Sequence, residues 1–183
     1  MTNSSTPTRY TATAIGMHWL VALLIFAAFG MGLYMTGIHG ITPQKLKLFS
    51  WHKWLGVTIF ALAVMRVSWR LLHPAPALPA GMSRWQRQAA HLVHQVLYAL
   101  IIVIPLTGYF YSSATGIPVV YLGLFKMPMF IEKSDQLKAV LGPVHAWLNY
   151  LMAAIVVVHV LAALKHQLID RDGTLSRMLP FLK

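Results

Sequence analysis

The sequence predicts an all-α membrane protein, a four-transmembrane-helix bundle with both termini on the cytoplasmic side. Composition and apolar run length carry that expectation. Apolar residues make up 57% of the 183 residues and charged residues only 10%, with a mean hydropathy of +0.62. An average soluble domain has about 25% charged residues. Four runs reach the roughly 20 apolar residues a helix needs to cross a bilayer: Ala14–Met35, Trp51–Leu72, Ala89–Tyr111 and Pro143–Leu164, the last continuing as helix to His166. A disordered chain is excluded, and a water-soluble enzyme is not expected. Cysteine is absent, which removes disulfides, iron–sulfur clusters and thiolate metal sites.

The elements follow in order. The polar start, Met1 to Arg9, is a short tail expected to fray. The first apolar run is too long for a signal-peptide core. Ser50 is placed to cap the second helix. Pro74, Pro76 and Pro79 separate the second and third spans. Pro105 is expected to kink the third, with Thr107 and Gly108 nearby to absorb the freed backbone groups. Gly142-Pro143 places proline in the first turn of the fourth. Segment 112–142 is the one long loop, with turn chemistry at Gly116-Pro118 and room for a short surface helix near Lys133–Leu141. The whole chain, 1–183, is one membrane domain.

The formal charge is +11, from 15 Lys plus Arg against four acids. These charges lie between apolar runs rather than on one basic face, so they point to lipid and not to nucleic acid. Four spans put both termini on one side. All seven arginines (Arg9, Arg66, Arg70, Arg84, Arg87, Arg171, Arg177), with Lys165 and Lys183, fall on or toward that side. Six lysines fall toward the other, and nine against six favours cytoplasmic termini.

Nine histidines are an unusual supply for so apolar a chain. A histidine inside a span is costly without a partner, so it is a functional candidate by default. His18 lies near the cytoplasmic start of the first helix, and His52 and His145 lie just inside the outer starts of theirs. His159 follows His145 by fourteen residues, about 21 Å of rise and nearly four turns, so both rings share a face. Depth then pairs His52 with His145 and His18 with His159. Two imidazoles on opposite sides of a porphyrin iron make a six-coordinate centre suited to electron transfer. Zinc or copper transport is the competing use of histidine clusters, but these spans hold no Asp, Glu or Cys to line a cation path. His91 and His94 reach the inner depth as well. Depth alone leaves His94 open as the partner of His18, and the fourteen-residue pair favours His159.

Arg66 follows His52 by fourteen residues, which puts it at the inner height. A buried arginine needs an anion, and a haem propionate would accept its planar fork. Snorkelling to the surface is the plain alternative, favoured for Arg70. His166, Arg84 and Arg87 cluster where the third and fourth helices meet the cytoplasmic surface. They are donors of the kind quinone carbonyls require, and His166 could deliver a proton. Positive-inside charge explains the arginines equally well.

The chain resembles the bacterial cytochrome b561 family, related to the b-type subunits of nickel–iron hydrogenases and formate dehydrogenases. The resemblance rests on Met17-His18-Trp19-Leu20, on Trp51-His52-Lys53-Trp54-Leu55-Gly56, and on Arg66 with Arg70. His145-Ala146-Trp147, His159, Ala163-Leu164-Lys165-His166 and Asp172-Gly173-Thr174-Leu175 continue it along nearly the whole chain. It implies a four-helix bundle in the bacterial inner membrane holding two b haems. His18 and His159 would ligate the cytoplasmic haem, and His52 and His145 the periplasmic one. The implied function is electron transfer between a periplasmic-side donor and the ubiquinone pool, with superoxide as a donor used by some members. A haem b subunit of a larger dehydrogenase or hydrogenase complex is the alternative, and a haem-free transporter the third. The donor is either a small anion or a periplasmic redox protein. Outer segments 37–53 (Lys45, Lys47, Lys53) and 112–142 (Lys126, Lys133, Lys138 against Glu132, Asp135) sum to +4, a charge that would draw an anion such as superoxide.

Overall fold

The computed structural model describes residues 9–79 and 81–182. The polar start Met1–Thr8 and Lys183 lie outside the described residues. Four helices make the bundle: α1 (Ala12–Gly37), α2 (Pro43–Leu72), α3 (Arg84–Ala114) and α4 (Asp135–Lys165). Each holds a window long and apolar enough to cross a bilayer. Both termini therefore lie at one end, the terminal end, and the α1–α2 and α3–α4 connections at the other.

Each helix opens on a hydroxyl cap. Thr11 accepts from the Ala14 N–H, Thr42 from Lys45, Ser83 from Gln86 and Ser134 from Leu137. These caps correct the expected boundaries. Ser50 is not the cap of α2; its hydroxyl donates to the Leu46 carbonyl inside a helix that already began at Pro43. The short helix expected near Lys133–Leu141 is the opening of α4 itself, and Pro143 sits inside that helix. Polar first turns are the reason, since they project beyond the apolar run that marks the span. α3 runs on through Pro105, and the Thr107 hydroxyl donates to the Ile104 carbonyl at 2.7 Å.

The connection after α3 holds a small hairpin, β1 (Val120–Tyr121) paired antiparallel with β2 (Phe125–Lys126). Its turn uses two left-handed residues, Leu122 and Gly123. Trp54 Nε1–H donates to the Val120 carbonyl at 2.7 Å, and the Tyr121 and Thr58 hydroxyls meet at 2.9 Å. These bonds tie the hairpin to α2. The core sits mid-bundle at Ala63, Leu100, Ile101, Ile104 and Met152. Helix pairs α1/α2, α2/α3 and α3/α4 pack along their lengths, whereas α1 and α4 share no comparable face. Large apolar side chains such as Leu23, Phe26 and Trp147 point outward, as lipid contact requires.

Candidate cofactor site

Four stripes of seven-residue spacing line the interior, and seven residues bring a helix back to nearly the same face about 10 Å further on. On α1 the stripe is His18, Ile25, Gly32; on α2 it is Arg66, Ile59, His52. On α3 it is His94, Ile101, Gly108, and on α4 His159, Met152, His145. The stripes align into three layers. Ile25, Ile59, Ile101 and Met152 line one cleft together and make the apolar middle layer.

At the loop end, the His52 and His145 rings lie 6.2 Å apart between centroids, nearly perpendicular at 88°. Two imidazoles bound through Nε2 at about 2 Å on opposite sides of a metal would have centroids about 6 Å apart. His52 Nδ1 lies 3.1 Å from the Ala28 carbonyl, and His145 Nδ1 lies 3.1 Å from the Ile104 carbonyl and 3.1 Å from the Thr107 hydroxyl. Donation from Nδ1–H to those carbonyls would fix each ring and leave Nε2 as the nitrogen available to a metal. Glycines back both rings. A Cβ on Gly108 would come 2.9 Å from His145 Cε1, and one on Gly32 3.4 Å from His52 Cε1. Clefts of about 430 and 480 Å³ flank the pair, and Gly56 lines the first of them.

At the terminal end, the His18 and His159 rings lie 6.4 Å apart, and His94 lies 5.4 Å from His159. Arg66 shares this layer. Its guanidinium sits 5.4 Å over the Tyr98 ring, and its Nη1 is buried with no hydrogen-bond partner among the described residues. A buried cationic N–H without an acceptor is expensive, and a carboxylate delivered by a bound group would satisfy it. Imidazole pairs, a guanidinium for a carboxylate and an apolar interior suit a porphyrin with propionates.

Comparison with known proteins gives the family. The sequence matches the family Prokaryotic cytochrome b561 over residues 9–181. The chain belongs to that family. It is similar to "Cytochrome b561 homolog 2" of Escherichia coli (strain K12), 34% identical over 98% of this chain and 95% of the relative. It is 30% identical to "Probable superoxide oxidase CybB" of Yersinia pestis, over 94% of this chain and 96% of that one. It is also 29% identical to "Cytochrome b561 homolog 1" of Escherichia coli (strain K12), over 94% and 97%. The protein is thus a multi-pass haem b electron-transfer protein of the bacterial inner membrane, in contact with lipid, and it belongs to a quinone-linked family.

Beyond its paired histidines, this cytochrome b561 carries a built terminal end. His166 follows His159 by seven residues and opens a π-helical turn, His166–Asp170. Its Nδ1 lies 2.7 Å from Asp172 Oδ2 and 3.1 Å from Asp170 Oδ2. Arg84 opens α3 at the same end, and Arg87 donates from Nε to the Met82 carbonyl at 3.2 Å. The chain then turns back across the bundle. Trp19 Nε1–H donates to the Met178 carbonyl at 2.8 Å, and Arg177 donates to the Ala77 carbonyl at 2.5 Å. Trp19 also packs edge-on against His18, 5.2 Å between centroids.

The sequence reading missed the backing glycine Gly32 and gave Gly108 a part in the Pro105 kink. Spacing carried the signal: each lies fourteen residues after a histidine, His18 and His94 respectively. It also missed the two aspartates on His166.

Proposed function

We propose that this cytochrome holds two haems b, one between His52 and His145 and one between His18 and His159, with its termini in the cytoplasm. It would pass electrons from a periplasmic-side donor to ubiquinone. One observation carries the reading: two imidazole pairs at 6.2 and 6.4 Å, stacked fourteen residues apart along α4. A bis-imidazole haem supplies one-electron chemistry at an iron with no open position. The chain's own part is to hold it. The Ala28 and Ile104 carbonyls orient the outer rings, Gly32 and Gly108 make room behind them, and Arg66 would take a propionate of the inner group.

His94 has its own support as a ligand, because it lies closer to His159 than His18 does. Two features favour His18. Its separation from His159 matches the outer pair, and His94 occupies on α3 the place that Gly108 fills in the outer layer, behind the α4 histidine. Counting haem per chain decides between them. Wild type should hold two low-spin haems and His145→Ala one. His18→Ala should lose the inner haem. Loss in His94→Ala with retention in His18→Ala would overturn the pairing.

For the donor, the name of the Yersinia pestis relative and the net +4 of the outer segments favour superoxide. For the acceptor, His166, Arg84 and Arg87 supply donors at the end nearer the inner pair. His166→Gln should slow quinone reduction while both haems remain. Unchanged turnover would remove the quinone from this site.

A further inference from the structure

The π-helical turn at the end of α4 builds a second device around His166. Asp172 follows His166 by six residues, yet their side chains meet at 2.7 Å. The backbone is wound to make this happen. Arg171 takes a left-handed conformation at φ 50, and Gly173 another at φ 73. The N–H groups of Arg171 and Asp172 both return to the His166 carbonyl. A non-glycine left-handed residue costs about 1 kcal/mol or more, and such strain concentrates at functional positions. Asp172 is itself fixed, its Oδ1 accepting the Thr174 N–H at 2.9 Å. Burial would push its carboxyl up, but the bonds from Thr174 and His166 outweigh that and hold it below the usual carboxylate range. It is therefore ionised at neutral pH.

His166, Asp170 and Asp172 also come close enough together to bracket a small cation. Lys165 already answers that charge, its ammonium lying 2.6 and 2.8 Å from the two Asp170 oxygens. The arrangement left for Asp172 is a carboxylate on one nitrogen of a histidine whose side chain is only 12% exposed. Nε2 makes no hydrogen bond among the described residues. His166 stands about 10 Å below His159 on the same face of α4, which is where electrons would leave for a quinone.

We propose that Asp172 is a positioning residue: its carboxylate accepts from Nδ1–H and supports His166 as the imidazolium whose Nε2–H donates a proton to the reduced quinone. This rests on the quinone reading above. Reduction adds two electrons, supplied one at a time from the periplasmic-side donor, and two protons. The C=O double bonds become C–O–H groups as the ring turns aromatic. His166 Nε2–H gives the proton at the oxygen it faces, and water gives the other. The neutral imidazole keeps Nδ1–H on Asp172 and regains its Nε2 proton from water once the quinol has left.

Asp172→Asn tests the carboxylate, since a carboxamide brings no charge to support an imidazolium, and the Nε2–H of a neutral ring is far too weak an acid to give up its proton. With decylubiquinone as probe and both haems verified by spectrum, Asp172→Asn should cut kcat for quinol formation about ten-fold or more. KM should hold, and the solvent deuterium isotope effect should rise. Asp172→Glu should restore most of the rate. If His166→Gln slows turnover but Asp172→Asn behaves as wild type, the positioning role is overturned while the quinone site stands. If neither variant slows turnover, the quinone reading itself fails.

Discussion

Gly56 separates what the fold needs from what the cofactor needs. It follows His52 by one helical turn, about 6 Å deeper on nearly the same face. It lines the cleft of about 430 Å³ that His52 and His145 also touch. A Cβ there would meet no other part of the protein within 4 Å. For the polypeptide alone, Gly56→Ala is then favourable by about 1 kcal/mol of helix propensity. A porphyrin ligated by His52 and His145 is expected to lie over this position. The added methyl would fall within its van der Waals shell, and overpacking of that kind costs about 1–3 kcal/mol. At 1.4 kcal/mol per factor of ten, haem retention at the outer site should weaken roughly ten- to hundred-fold. Gly56→Leu reaches further and should empty that site. The assay is haem per chain by the pyridine haemochrome, paired with the thermal stability of haem-depleted protein. Gly56→Leu carrying two haems with an unchanged spectrum would refute the placement. A less stable haem-depleted Gly56→Ala would also refute it, since the glycine would then serve the fold.

Gly108→Ala and Gly32→Ala should differ: the first needs His145 to retreat by about 0.6 Å from a 2.9 Å contact, to reach an ordinary 3.5 Å separation, and should lose most outer haem. The second meets His52 at 3.4 Å and should keep it; equal haem in both variants would show that the cradle is not limiting. Arg66→Leu should lower the inner midpoint potential by some tens of millivolts, because a unit charge about 10 Å away at an effective dielectric near 20 contributes roughly 1.5–2 kcal/mol; a titration with both potentials unmoved would separate Arg66 from the haem. Haem reduction by superoxide should fall steeply with salt, and again when Lys45, Lys47 and Lys53 are neutralised together. A rate indifferent to both would point to a protein donor.

The spans and the fourteen-residue histidine pair were legible because both are local signals, one an apolar run and the other a helical period. Helix starts were not. α2 begins at Pro43 rather than Trp51, and α4 at Asp135 rather than Pro143, eight residues early in each case. Two polar turns, capped by Thr42 and Ser134, extend beyond the apolar run. The hairpin at 120–126 has strands of two residues, too short for alternation to show. It is held by Trp54 and Thr58, more than sixty residues away. The Asp172–His166 contact depends on a left-handed Arg171, a conformation that local preference opposes. Side-chain chemistry along one helix face can be counted from the sequence. Contacts made by a turn that folds back cannot.

The three layers also bear on the direction of electron flow, which composition and spacing leave open. The outer and inner layers occupy equivalent places on the same four stripes but are furnished differently. Behind the outer imidazoles stand Gly32 and Gly108, which add no charge. Beside the inner ones stand Arg66, with its unpartnered Nη1, and His94. Between them lies an apolar layer of Ile25, Ile59, Ile101 and Met152, where a low dielectric screens that asymmetry little. A haem gaining an electron becomes more negative by one charge, so a nearby guanidinium favours the reduced form. If both layers hold a haem as proposed, the inner one would be the better electron acceptor, even after a propionate takes part of the Arg66 charge. Electrons entering at the loop end would run downhill toward the terminal end, where His166 and its aspartates stand. The proposed proton donor and the electron-attracting charge would then lie at the same end of the bundle, as the proposed reduction of a quinone there requires.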